Sequence, residues 1–376
     1  MNKLLITSFI ILTALGCDVK KEATSKQSEN RKVRDGDLLT FSDSLKIKLA
    51  DKLTFIESYE DRLLFLASRY GIVLTDLSGS IIKDFSPIGG ADEEVGYQIK
   101  QICFTDEGEI AIASERGISI YDQEGVFKTR IDRKFPYSSQ DENMYFFRDG
   151  DDAIFLTNSL IPNPSLNINS PLREYYEKLH TKMSHNISKD YSDYKFPLPT
   201  NSVFKQFKEY YMDIDVNIAI SRKNDIIGIS FNPEKRLYLY ELSEDFSELG
   251  EVELSPPDFK RPFTQPFENG RADANLLGQA IRCNSRLLKM TSIGNYVYIA
   301  YRKGLPTDFK DSDFGEVSHM FERFIIKVDI VNKKQTGVYA LPDEVFELEG
   351  SFNDQLVFSS KTEGYDYETF YLIDAP

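Results

Sequence analysis

Two stretches of the chain repeat one another. The first reads Leu66-Ala67-Ser68-Arg69-Tyr70-Gly71-Ile72-Val73-Leu74-Thr75-Asp76-Leu77-Ser78-Gly79, and the second Ile112-Ala113-Ser114-Glu115-Arg116-Gly117-Ile118-Ser119-Ile120-Tyr121-Asp122-Gln123-Glu124-Gly125. Alanine, serine, glycine, isoleucine, aspartate and a closing glycine recur at a constant offset of 46 residues. Around each first glycine the side chains alternate with period two, which puts one set on each face of a sheet. Each copy reads as strand, tight turn at Gly71 or Gly117, strand, and a second turn ending in Gly79 or Gly125. A period in the forties built of short strands is the pattern of a propeller blade.

Working outward, the first blade is expected from Leu53 to Phe85 and the second from Gln98 to Ile131. The third opens with Met144–Arg148 and Ala153–Asn158, and the fourth comprises Asp213–Ile220, Ile226–Phe231, Leu237–Leu242 and Gly250–Leu254. Arg286–Met290, Tyr296–Arg302, Phe324–Val331 and Gln335–Ala340 make the fifth. The last stretch has three clear strands, Val345–Glu349, Leu356–Ser359 and Glu368–Ile373. The alternating run Leu45–Leu49 has no blade of its own; pairing it into the last blade closes the ring and removes two exposed sheet edges. The expected fold class is therefore all-β, a six-bladed β-propeller over residues 38–376, with a seven-bladed ring as the alternative that chain length also permits. The stretch Leu160–Tyr211 decides for six. Pro162, Pro164, Pro171, Pro197 and Pro199 bracket it, Ser170 can cap a helix, and Leu172, Tyr175, Tyr176, Leu179 and Met183 fall at helical spacing. A short helical insertion is expected near 160–212, packed on the propeller wall or serving as a lid.

The formal charge is −15, and removal of a leader containing Lys3 leaves 44 basic against 60 acidic residues. A body this acidic repels nucleic acid and anionic surfaces, so no nucleic-acid partner is expected. Three histidines and no tryptophan argue against histidine-rich metal sites and tryptophan-stacked sugars. Cys103 and Cys283 fall in the second blade and at the start of the fifth. Opposite blades stand farther apart than the roughly 7 Å between Cα atoms that a disulfide tolerates, so both are expected as free thiols.

Catalytic signatures are missing from the sequence: there is no G-x-S-x-G elbow, Gly-rich phosphate loop or H-E-x-x-H. His180 and His185 lie five apart on the expected helix and so on different faces. Asp308, Asp311, Asp313 and Glu316 share one loop, but their offsets do not match a calcium-binding hand, and a solvated acidic loop is expected. No cofactor is expected, calcium being the one that these oxygen ligands would admit. Against the acidic background, Lys260, Arg261, Arg271, Arg282 and Arg286 occur with Phe263 and Phe267. Tyr301, Arg302, His319 and Arg323 flank the loop that follows. Arginine grips carboxylates bidentately and aromatic rings offer flat apolar surface. Arg261, Phe263, Phe267, Arg271, Arg282, Tyr301, Arg302, His319 and Arg323 are therefore the candidate ligand-binding residues, placed at the mouth of the funnel. The competing reading is a loop that neutralises neighbouring acids.

At the N-terminus, Lys3 precedes an apolar run from Leu4 to Leu15. It is too short for a bilayer span of about 20 residues and matches a signal-peptide core. The run ends Ala14-Leu15-Gly16-Cys17, small residues before a cysteine that can take a diacylglycerol. Residues 1–16 read as a lipoprotein signal peptide and 17–37 as a polar tether with too little apolar surface to fold. A membrane partner through the lipid on Cys17 is implied, on the periplasmic or cell-surface side of the envelope and in the outer membrane. The leader, the tether, the blade turns and the segments Ile229–Tyr240 and Asn295–Arg302 resemble those of six-bladed, TolB-like or NHL-like propeller lipoproteins of Bacteroidetes, a domain of unknown function. The resemblance implies the fold and brings no catalytic residue. Three functions follow as expectations: a binding or scaffolding lipoprotein for a small molecule, peptide or protein; a calcium-dependent lactonase-like hydrolase with Glu, Asn and Asp converging on a central ion; and a surface nutrient-binding component. Replacing Cys17 by Ala should move the protein from the membrane to the soluble fraction, read by fractionation and immunoblot. Full retention in the membrane pellet would place the anchor elsewhere.

Overall fold

The computed structural model describes residues 37–49, 51–68, 71–132, 144–158, 180–206, 216–232, 234–260, 274–307, 320–361 and 367–376. Two short N-terminal strands, β1 (Asp37–Leu38) and β2 (Asp43–Ile47), precede the first blade. That blade is β3 (Leu53–Tyr59), β4 (Arg62–Ala67), β5 (Ile72–Asp76) and β6 (Ile81–Phe85), and the second is β7 (Ile99–Phe104), β8 (Ile110–Ser114), β9 (Gly117–Tyr121) and β10 (Phe127–Ile131). The third is β11 (Tyr145–Asp149), β12 (Asp152–Asn158), β13 (His180–Asn186) and β14 (Tyr191–Pro197), followed by the one-turn helix α1 (Val203–Gln206). The fourth is β15 (Val216–Ser221), β16 (Ile226–Phe231), β17 (Arg236–Glu241) and β18 (Glu248–Glu253). Helix α2 (Ala274–Cys283) leads into the fifth, β19 (Arg286–Ile293), β20 (Tyr296–Arg302), β21 (Arg323–Asp329) and β22 (Lys334–Ala340). The sixth is β23 (Val345–Phe352), β24 (Gln355–Ser360) and β25 (Glu368–Asp374), completed by β2.

Every blade is an antiparallel meander, and the first strand of each lies innermost. The inner strands stand side by side around a central channel, β3 against β7, β7 against β11, β15 against β19, β19 against β23 and β23 against β3. Middle strands are apolar on both faces because a blade has a neighbour on each side; all five residues of β8 and of β9 are buried. Outer strands such as β10 are half-buried to exposed. The buried side chains form six clusters, one at each seam between neighbouring blades, among them Ile102 with Leu64 and Tyr298 with Leu348. Six seams make a closed six-bladed propeller and set aside the seven-bladed alternative.

Closure falls to β2, as its alternation predicts. Its five residues pair antiparallel with β25, from Asp43 opposite Leu372 to Ile47 opposite Glu368, and Leu45 and Ile47 point into the seam between blades six and one. The repeated turn fits the same pattern. Asp76 accepts backbone hydrogen bonds from Ser78 and Ser80 at 2.8 and 2.9 Å, and Asp122 from Glu124 and Val126, both at 2.9 Å. Gly79 and Gly125 close these turns at φ of +85° and +74°, where a side chain is strained. A Cβ on Gly79 would meet the carbonyl of Lys46 on β2, and one on Gly125 the ring of Phe85 on β6. Each turn therefore packs on the outer strand of the preceding blade, and β2 fills for blade six the place that β6 fills for blade one.

The helical insertion expected near 160–212 is corrected over its second half. His180–Asn186 and Tyr191–Pro197 are strands β13 and β14, which complete blade three, and Met183 sits on β13 opposite Tyr194. The helical content in the described part of this stretch is the single turn α1. Leu172, Tyr175, Tyr176 and Leu179 lie outside the described residues. The strand was hidden because β13 buries polar side chains where a middle strand would show valine or isoleucine. Thr181 Oγ1 donates to the Phe196 carbonyl at 3.2 Å, and the His185 ring is held between Thr157 Oγ1 at 3.0 Å and Ser192 Oγ at 2.9 Å. Hydrogen-bonded in this way, buried polar groups lose little on burial. Cys103 and Cys283 are both buried and not joined in a disulfide, on blade two and at the C-terminus of α2.

Ile47 and Leu45 anchor the closing strand by burial, in addition to its backbone ladder with β25 on one edge. Ile47→Ala should cost about 2–5 kcal/mol and lower a single cooperative melting transition of the whole ring, measured by calorimetry. An unchanged transition, or an early one confined to blade six, would mean that the ring does not depend on this strand.

Candidate functional site: the mouth of the seam between blades five and six

Because each blade begins with its innermost strand, the six inner strands run the same way, and the channel has one mouth at their starts and one at their ends. At the first mouth, strand pairing places three arginines on one rung: Arg286 opposite Arg302 across β19 and β20, and Arg302 opposite Arg323 across β20 and β21. Like charges directly opposite on a sheet repel. The next rung, Leu287, Tyr301 and Phe324, points into the apolar seam with blade four. The arginine rung therefore points the other way, toward blade six, where Ala300 and Ile325 continue the seam below it.

The surroundings of the rung are specific. Arg323 Nη1 donates to the carbonyl of Val345 at 3.2 Å and its guanidinium lies 5.1 Å from the centre of the Phe346 ring, both on blade six. Arg302 Nη2 donates to the carbonyl of Ile281 in α2 at 2.5 Å, and its guanidinium stacks over Phe321 at 4.2 Å. Its Nε is buried without a hydrogen-bond partner. Burial pushes Arg286 down to about 10, and burial together with the charges of Arg286 and Arg323 brings Arg302 to about 10 as well. Burial also lowers Arg323, against the pull of Glu347 and Asp343. All three remain cations at neutral pH. Across the seam, burial and then the neighbouring Glu349 raise Glu347 above the ordinary carboxylate range, opposed by Arg323, Lys289 and Lys52. Glu347 is solvent-exposed although protein surrounds it, as expected of a group on a channel wall. Lys289 and Glu349 form an ion pair at 3.3 Å just below.

A second polar group lies near the other mouth. Glu57 on β3 accepts a hydrogen bond from the Phe104 amide of β7. Arg222, just past the end of β15 on the opposite blade, acts on it across the channel and donates to the Phe146 carbonyl on β11 at 3.1 Å. Burial raises Glu57 to about 7, with the Phe104 amide and Arg222 opposing. The same burial, with the charge of Glu57, raises the Cys103 thiol next to it.

Of the residues singled out in the sequence, Arg302 and Arg323 are brought together, and Arg286 joins them. Arg282 lies in the last turn of α2, whose backbone carbonyl accepts from Leu305 at 3.0 Å and ties the helix to the loop after β20. Tyr301 is corrected: it is fully buried against Phe259 and Phe324, with its hydroxyl donating to the Pro257 carbonyl at 2.7 Å, and it faces away from the rung. Arg261, Phe263, Phe267, Arg271 and His319 lie outside the described residues, as do Asp308, Asp311, Asp313 and Glu316. His180 and His185 occupy opposite faces of β13 rather than of a helix. Among the described residues, no group of three or more His, Cys, Asp or Glu side chains is placed to hold a metal ion. Glu57 and Glu347 escaped the sequence reading. The available signal was a glutamate inside an inner-strand run, Leu53-Thr54-Phe55-Ile56-Glu57, where an apolar or small residue is the rule.

No protein-family model matches the chain, and no curated protein matches it. Solved structures of the same fold do. A member of the DUF4221 family from Bacteroides vulgatus superposes with a TM-score of 0.63 at 12% identity, covering 89% of this chain and 97% of that one. A candidate exported protein from Bacteroides fragilis gives 0.54 at 13% identity, covering 90% and 93%. At such identities the likeness is one of fold.

The raised Glu57 carboxyl has a consequence for stability. Its ordinary value is 4.5 and its folded value about 7, so between these the folded ring holds a proton that the unfolded chain has lost. Stability then falls as pH rises through that window. Between pH 5 and pH 8 the wild type should lose on the order of 2 kcal/mol more than Glu57→Gln, by urea denaturation. Parallel pH curves for the two proteins would show that the carboxyl is freely solvated.

Proposed function

We propose that the mature chain is a lipid-anchored, extracytoplasmic propeller that binds a small molecule, peptide or protein rather than transforming it. The anchor is Cys17 and the address is the periplasmic or cell-surface side of the outer membrane. The signal-peptide pattern supports this address, and so does the shared fold of a candidate exported protein of Bacteroides fragilis. The observation that carries the binding reading is the arginine rung at the mouth of one seam. The described seams are otherwise packed mainly with apolar side chains, and a fold gains nothing in stability by sinking three like charges into such a wall. Their position at an accessible mouth suits a ligand-receiving surface, where polar groups set orientation on an apolar frame. Nucleophilic or acid–base chemistry would need a base in hydrogen-bond reach of a nucleophile. The carboxylates acting on this mouth, Glu347 and Asp343, face cations instead.

The test uses the purified mature lipoprotein in detergent and low-mass and peptide fractions of a cell-envelope extract. At least one fraction should raise the melting temperature, since a ligand at 100 times its Kd adds about 2.7 kcal/mol. Mass spectrometry should recover the active component unchanged after incubation. Calcium-dependent conversion to a new product would replace this reading with the hydrolase, and a flat response to every fraction would remove it.

A further inference from the structure

We propose that the seam between blades five and six binds the oxyanion end of its ligand, a carboxylate or a phosphate group, in the fork formed by Arg286, Arg302 and Arg323, and that Arg302 decides recognition. The inference rests on the binding reading above and names the ligand class for that same mouth.

Three observations carry it. The first is register. The three arginines sit directly opposite one another on adjacent strands, and such strands are about 4.8 Å apart. Three arginine side chains rising from neighbouring strands on one rung suit an anion with several oxygens, because each guanidinium presents a planar fork that matches carboxylate or phosphate two bonds at a time. The second is the bonding of Arg302, the middle member. It donates to a neutral carbonyl, that of Ile281, and stacks on a neutral ring, that of Phe321, while its Nε is buried with no acceptor. A buried donor left without an acceptor costs stability, and an arriving oxyanion would supply one. The third is setting. The chain as a whole carries a formal charge of −15, and Arg302, flanked by the charges of Arg286 and Arg323, is a local cationic feature on it that an anion can recognise. Phe321 and Phe346 flank the rung and offer apolar walls to a ligand body behind its charged end. Glu347 competes with that end for Arg323, which makes it a brake on affinity.

The experiment measures the melting temperature of the purified protein in inorganic phosphate and in succinate, each against sodium chloride of equal ionic strength. At least one oxyanion should raise the melting temperature by about 2 °C or more at saturation. A response to phosphate alone identifies phosphate as the preferred group, and a response to succinate alone identifies carboxylate. Arg302→Gln should abolish the response and, freed of like-charge repulsion, should melt in chloride no lower than the wild type. Arg148→Gln, which removes an arginine paired with Asp106 on blade two, should keep it. Glu347→Gln should strengthen it several-fold in half-saturating concentration. The inference is overturned if neither anion acts beyond chloride, or if folded Arg302→Gln, checked by circular dichroism, responds like the wild type. If the extract yields a neutral or cationic ligand that Arg302→Gln binds equally well, the oxyanion assignment fails and the binding reading stands. If neither the extract nor the anions act, both fail.

Discussion

The pairing of β2 with β25 is the contact on which the rest of the ring depends. Ser42 donates both its amide and its hydroxyl to the Leu372 carbonyl, at 2.9 and 3.0 Å, and the ladder continues to Ile47 opposite Glu368. These bonds join residues some 330 positions apart, so the chain entropy of closing the largest loop in the molecule is spent there. Without them, blade six would lack its outer strand and two seams would lose part of their cover. With them, every middle strand has an apolar neighbour on each side, and no blade can open without exposing two seams.

The same N-terminal segment also staples the neighbouring blade. Strand β1 lies parallel to β22, with Leu38 opposite Ala340, and Leu39 donates to the Ala340 carbonyl at 3.0 Å. Ala340 pairs in turn with Phe324, the residue after Arg323. The chain thus enters the fold against blades five and six, beside the seam that carries the arginine rung.

The arginine rung shows how a propeller accommodates charge without losing its core. Deep in a seam, an ion must be paired or neutralised, because desolvation exceeds what a partner returns. At the mouth the guanidinium groups are only partly buried, and carbonyls and rings take up most of what is covered, Arg302 Nε excepted. The alternation of the strand does the sorting: Leu287, Tyr301 and Phe324 fill the dry side, and the arginines beside them fill the wet one. Near the far mouth a buried carboxyl, Glu57, faces Arg222 from the opposite blade. The two ends of the channel are therefore chemically distinct.

The 46-residue repeat, the turn aspartates and glycines, and the alternating run at Leu45–Leu49 determine the blade, its turns and the closure of the ring. All of these are local patterns, and a strand between two neighbours must be apolar on both faces wherever it lies. Blade three escaped this logic because Thr181, Ser184 and His185 are buried polar residues, and their strand is recognisable only through the hydrogen-bond partners that Phe196, Thr157 and Ser192 supply. The basic character of blade five was legible, but not which arginines meet. Arg286, Arg302 and Arg323 are separated by turns and loops of unequal length, and only the strand register of the folded blade sets them on one rung. The same holds for Glu57 and Arg222, whose interaction exists because a closed ring of six brings the first blade opposite the fourth. Periodicity carries information over a few residues, whereas the register and ring geometry that gather charged groups into a site are set by packing across the whole chain.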